Sequence, residues 1–191
     1  MTRRVLAASL LIVPFLVSAI GVAQSTKPGA PESFRANGQI LGAAGGAASA
    51  IDIKVDKYTS DADHEALLTA LKEGNAAFVA ALKKAPKIGT VTVGKTVVDI
   101  KWAREKPQGS GRRIVVCTDA PVFFAGAGAV DAKPTAGYDL ALAEFTIDSV
   151  GLGKGTMAPA AKVKPGGVAG IQVDDYSGKR IDLVTVSRNL S

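Results

Sequence analysis

Residues 89–96, Gly-Thr-Val-Thr-Val-Gly-Lys-Thr, match the phosphate-loop pattern G-x-x-x-x-G-K-[ST]. That chemistry needs a strand before the first Gly, backbone amides wrapped around the phosphates, and a helix that starts after the Lys. Here the would-be loop is Thr-Val-Thr-Val, whose β-branched residues favour extended backbone. Val97 to Trp102 follow it and read as a second strand. The spacing therefore predicts a β-hairpin turning at Gly94-Lys95, with no nucleotide bound. Gly151, Gly153 and Gly155 also alternate, but a phosphate cradle would again need a following helix, and Met157-Ala158-Pro159 argues against one. Alternating glycines on a strand leave one face bare, so that another segment can pass closely.

Asp61-Ala62-Asp63-His64-Glu65 has the donor types of a metal site. Measured against a calcium loop it fails, with Ala66 at the sixth position and Lys72 at the twelfth. On a helix, Asp61 and Glu65 share a face and Asp63 does not. First-turn carboxylates that complement the helix dipole are the simpler reading. His64 is the only histidine, so a multi-histidine zinc site is excluded. It lies four residues before Leu68, at the edge of an apolar helix face. No G-x-S-x-G elbow exists to make a triad with it. Cys117, the only cysteine, ends the apolar run Ile114-Val115-Val116 and reads as a small buried hydrophobe. Asp119, Glu144, Asp148, Asp174 and Asp175 lie near predicted strands, and a carboxylate pair among them would suit a hydrolase or isomerase. Neither a metal nor a cofactor is expected.

The most concentrated charge is basic. Lys101, Arg104, Lys106, Arg112 and Arg113 fall within 13 residues, opposed only by Glu105. With 107–111 as the turn between two antiparallel strands, Arg104, Lys106, Arg112 and Arg113 gather at one end of that hairpin, one strand pitch from Trp102. A positive edge beside an aromatic ring suits an anionic lipid head group, a glycan or a carboxylate ligand. The same charges also keep a sheet edge from pairing with another chain. Trp102, Arg104, Lys106, Arg112 and Arg113 are thus the candidate ligand-binding residues. The modest net charge and the lack of any nucleic-acid-binding module pattern argue against DNA or RNA.

The elements that must carry these residues are mostly strands. Ile51, Ile53 and Val55 alternate with Asp52, Lys54 and Asp56. Ser60 and Asp61 open a helix whose apolar face is Leu67, Leu68 and Leu71, with Gly74 at its end. Asn75 is positioned to cap a second helix reaching Lys84, with Phe78, Val79 and Leu82 inward. Strands follow at Val91–Val93, Val98–Trp102 (with Val98, Ile100 and Trp102 on one face), Ile114–Thr118 and Leu140–Ile147. The last changes parity near Glu144, which indicates a bulge or burial on both faces. Ile171–Asp175 and Arg180–Val186 flank Ser177-Gly178, a hairpin-turn signal. Short links imply antiparallel pairing. The expected class is α+β, mainly antiparallel β, a sandwich or partly open barrel of about seven strands with one inserted αα-hairpin. A small closed barrel could hold an apolar ligand.

Residues 1–23 read as an export signal: Arg3 and Arg4, an apolar run from Val5 to Val17, and Gly21 and Ala23 at the −3 and −1 positions. No basic stop-transfer cluster follows, so no stable membrane anchor is expected after cleavage. Residues 24–33 are Pro/Ser/Gly-rich and read as a flexible leader, and 34–191 as one domain. Losing the two signal arginines lowers the formal charge from +6 to +4. The expectation is a periplasmic or secreted bacterial envelope domain that binds an anionic ligand or an envelope component without catalysis. The alternatives are a small carboxylate-based hydrolase or isomerase, and a structural or adhesive protein docking through a sheet edge.

Overall fold

The computed structural model describes residues 29–40, 49–123 and 135–189. The expected signal, the leader up to residue 28, and residues 41–48 lie outside them. Among the described residues the order is β1 (Glu32–Ile40), β2 (Ser49–Val55), α1 (Asp61–Glu73), α2 (Asn75–Lys84), β3 (Gly89–Val93), β4 (Thr96–Gln108), β5 (Gly111–Thr118), β6 (Leu140–Ile147), β7 (Leu152–Pro165), β8 (Ile171–Tyr176) and β9 (Ile181–Asn189). Every pairing is antiparallel. β1 to β7 pair in sequence, and β9 pairs with both β7 and β1. The chain is mainly antiparallel β with an inserted helical hairpin, as its patterning predicts, and the sheet closes into an eight-stranded barrel.

Alternation decides what lies inside. Phe34 and Ala36 of β1, Ile51, Ile53 and Val55 of β2, Val91 and Val93 of β3, and Ile114 and Val116 of β5 turn inward. They meet Ala143, Phe145 and Ile147 of β6 and Ile181 and Leu183 of β9. Phe34 and Phe145 pack edge to face with centroids 5.0 Å apart. An eight-stranded barrel is just wide enough for such side chains to fill.

The helical hairpin covers part of the outer wall. Ser60 caps α1, its Oγ accepting from the Asp63 amide at 3.1 Å and donating to the Asp63 carboxylate at 2.7 Å. Leu67 and Leu71 of α1 and Phe78, Val79 and Leu82 of α2 are buried against Trp102, Val115, Cys117, Leu140, Leu142, Ala158 and Ala161. β5 and β6 are therefore apolar on both faces. That explains the parity change near Glu144: Leu140 and Leu142 face the helices, while Ala141, Ala143, Phe145 and Ile147 face the interior.

Several local expectations need correction. Gly74, with φ 126°, takes the cap position of α2, and Asn75 instead ties the helix to the wall. Its Oδ1 accepts from the Val163 amide at 2.9 Å and its Nδ2 donates to the Gly137 carbonyl at 3.4 Å. A register shift between Ile100 and Trp102 puts Trp102 on the outer face, opposite in sense to Ile100. Glu32 and Ser33, read as leader, open β1. Ser177-Gly178 makes no hairpin. β8 and β9 both run antiparallel to β7, β8 along Ala161–Pro165 and β9 along Leu152–Met157, so the two are one strand line interrupted between them.

β7 was hidden by its glycines, and those glycines close the barrel. A Cβ at Gly153 would overlap the Thr146 carbonyl oxygen, and one at Gly155 the backbone of Glu144 and Phe145. Their absence lets β7 coil tightly against β6. Gly153→Ala is expected to destabilise the protein by about 1–3 kcal/mol in urea denaturation, the usual range for overpacking. A cost below about 0.5 kcal/mol, typical of an unconstrained surface position, would show that this seam is loose.

Candidate functional site

The structure divides the five candidate residues between the two sides of the wall. Trp102, Arg104 and Lys106 alternate along the outer face of β4, and Arg113 of β5 stands directly opposite Lys106. Arg112, opposite Pro107, turns inward. Trp102 is fully buried beneath α1. Its indole N–H donates to His64 Nδ1 at 3.1 Å, and the two rings stack with centroids 5.8 Å apart. Burial, and then the nearby Arg104 charge, hold His64 below its ordinary pKa. Arg104 donates to the Thr59 carbonyl at 2.8 Å and to Asp61 at 2.7 Å. Arg113 pairs with Glu144 at 2.5 Å and donates to Gln108 at 2.6 Å. Lys106 forms no ion pair among the described residues. Most of this positive edge is therefore neutralised within the chain.

Arg112 belongs to a polar cluster at one end of the barrel. Both guanidinium Nη atoms donate to the Glu32 carboxylate, Nη1 to Oε1 at 2.8 Å and Nη2 to Oε2. Nη1 also donates to Glu105, and the Tyr58 hydroxyl donates to Glu32 Oε1. Burial and the bond to Glu32 push the Tyr58 phenol far above its ordinary pKa, so it remains a donor. Glu32 and Glu105 thus converge on Arg112, as Asp99 and Asp119 do on Lys101, while Glu144, Asp174 and Asp175 line a separate recess of about 360 Å³. Among the described residues no buried side-chain nitrogen or oxygen is left without a partner. Nor does any group of three His, Cys, Asp or Glu side chains there converge as metal ligands do.

The recess that can take a ligand lies beside this cluster. A cleft of about 370 Å³ opens between the helical hairpin, the 57–60 segment and β4. Its apolar lining comes from Leu67, Ala81 and Ile88, with Ala66 at the surface of α1. Its polar lining includes Lys57, Lys84, Lys101 and Asp63. Lys101 pairs with Asp119 at 3.5 Å, and Asp63 is engaged by Ser60. Lys57 and Lys84 are exposed and form no ion pair among the described residues.

The chain's own topology puts the two lysines on one cleft. Val55 and Gly89 pair across β2 and β3, so both ends of the inserted hairpin must return to the same place. The Asp56 amide donates to the Ile88 carbonyl at 2.8 Å and confirms the closure. In the sequence Lys84 marks only the end of the second helix, and nothing singles out Lys57. The available signal was that an insertion between two paired strands juxtaposes its first and last residues.

Comparison with known proteins adds no relative, since no protein family, curated protein or solved structure matches this chain.

Proposed function

We propose that this protein is an exported bacterial envelope domain, periplasmic or secreted, which binds a small ligand without transforming it, and that the cleft under the helical hairpin is its site. The observation that carries the reading is the cleft's composition: an apolar floor beside two lysines that form no ion pair among the described residues. Its volume is within the roughly 300–1,000 Å³ range of small-molecule sites. Binding is favoured over carboxylate chemistry because the candidate acids are already engaged: Asp119 by Lys101, Glu144 by Arg113, Asp174 by Lys164, Asp175 by the Tyr138 hydroxyl and Asp148 by the Val150 and Leu152 amides. It is favoured over sheet-edge adhesion because the barrel strands β1–β7 and β9 are paired on both sides, which leaves only the six-residue β8 as an edge among the described strands.

The reading is tested by thermal unfolding against a panel of envelope metabolites: sugars, amino acids, fatty acids and phosphorylated head groups. A true ligand at a hundredfold its Kd adds about 2.7 kcal/mol and raises Tm by several degrees. The ligand is recovered unchanged, and Ala66→Phe, which fills the cleft from an exposed helix position, abolishes the shift. Steady conversion of the compound would establish an enzyme instead. A shift that survives Ala66→Phe would place the site elsewhere. Export is checked by N-terminal sequencing of the periplasmic product, expected to begin at Gln24. Intact chain confined to the cytosol overturns that part.

A further inference from the structure

We infer that the ligand of the cleft is an anionic amphiphile of medium chain length, with its head group against Lys57 and Lys84 and its tail along Leu67, Ala81 and Ile88. This rests on the reading of the cleft as a binding site and adds the chemical class.

Charge sets the head group. Of the four charged residues in the lining, Lys101 is matched by Asp119 and Asp99, and Asp63 accepts from Ser60. Asp63 keeps its negative charge, so Lys57 and Lys84 leave the lining with a net positive charge, which an anion complements. The floor sets the rest of the molecule. Leu67 and Ile88 show only their edges to the cleft, and Ala66, Ala81, Ala85 and Pro86 supply the rest of its hydrocarbon, with no donor or acceptor of their own side chains. A sugar or an inorganic ion would leave that surface unused, whereas an alkyl chain covers it. Size limits the chain. At about 370 Å³ the cleft accommodates a medium chain and not a full-length diacyl lipid.

A carboxylate head would come from a free fatty acid, and a phosphate monoester head from a fragment of a phospholipid or polyprenyl carrier. Both share the chemistry of a compact anion on an alkyl tail.

The test is an NMR titration of the purified protein with octanoate, decanoate, decyl phosphate, decanol and inorganic phosphate, each below its micelle concentration. At least one decyl anion is expected to shift the Leu67, Ala81 and Ile88 signals in a saturable way. Decanoate should bind about fifteenfold more tightly than octanoate, since each of its two extra methylenes is worth roughly fourfold when buried. Lys57→Glu/Lys84→Glu, at two exposed positions that do not enter the core, should weaken the anions at least tenfold and leave decanol unaffected. Tighter binding of decyl phosphate assigns the phosphate source, and tighter binding of decanoate assigns the fatty acid. Decanol binding as tightly as decanoate overturns the anionic half of the inference. Inorganic phosphate reproducing the decyl phosphate shifts overturns the apolar half. Silence of both decyl anions at these signals overturns the whole. The broader reading fails separately, when no compound of the metabolite panel gives a stabilisation that Ala66→Phe removes.

Discussion

Arg112→Met is expected to destabilise the protein by about 3–5 kcal/mol, the usual cost of removing one partner from a buried ion pair. Arg112 is 6% exposed and Glu32 9% exposed, so water cannot replace what the substitution removes. The Glu32 carboxylate would keep only the Tyr58 hydroxyl, and Glu105 would lose its guanidinium. Two carboxylates would then face each other at the barrel end without a cation. The instructive comparison is the variant that removes the whole cluster. Glu32→Met/Arg112→Met/Glu105→Gln replaces the ionic plug by apolar and neutral groups and should recover most of the loss, because the desolvation penalty disappears with the charges. Urea denaturation at pH 7 distinguishes the cases, with the midpoint moving and m unchanged. A single-variant cost below about 1 kcal/mol, the range of exposed pairs, would mean that the end of the barrel is open to solvent.

The same residue shows where sequence reading stops. The basic run 101–113 is conspicuous in the sequence, but its charges do not share one surface. Arg112 and Arg113 are adjacent on a strand, so they must lie on opposite faces. One plugs the barrel and the other pairs with Glu144 outside. Glu32, the partner of Arg112, is 80 residues away on a strand obscured by its Pro/Ser/Gly-rich approach. No local pattern announces such a pair. The hairpin at Gly94-Lys95 and both helices were legible, because β-branched alternation and capping residues act within a few positions. β7 was not, since its alternating glycines remove the apolar signal that identifies a strand, and their reason lies in β6. Closure of the barrel was equally hidden, because it depends on β9 meeting both β1 and β7. The cleft lay between these cases: its lysines are solvent-facing and unremarkable singly, and only the pairing of β2 with β3 puts them on one cleft.

Trp102→Ala is expected to cost about 3–5 kcal/mol, as for a large aromatic removed from a packed core, and to abolish binding in the cleft as well. Trp102 reaches the outer face only because β4 shifts register after Ile100, and there it is the largest side chain between α1 and the wall. Without it Leu67 and Leu71 lose their floor, and Leu67 also lines the cleft. Trp102→Phe separates packing from hydrogen bonding. It keeps most of the apolar area and loses the N–H to His64, so it should cost about 1 kcal/mol. The His64 contact also gives α1 a pH response. Its folded pKa lies below the unfolded value, so the folded state binds fewer protons than the unfolded one. That contribution is fully present above about pH 6.5 and declines as pH falls from there through the folded pKa, because protonation occupies the Nδ1 lone pair that accepts from Trp102. Asp61 and Asp175, both held below the ordinary carboxylate range, add their own losses at lower pH. His64→Gln should therefore flatten the stability profile just below about pH 6.5 and leave the carboxylate limb at lower pH unchanged. An unaltered slope across that window would show that the imidazole does not help fasten the helix. With the slope removed, weakening of cleft binding over the same window should disappear too, since the hairpin that bears Leu67 and Ala81 is docked in part through this ring.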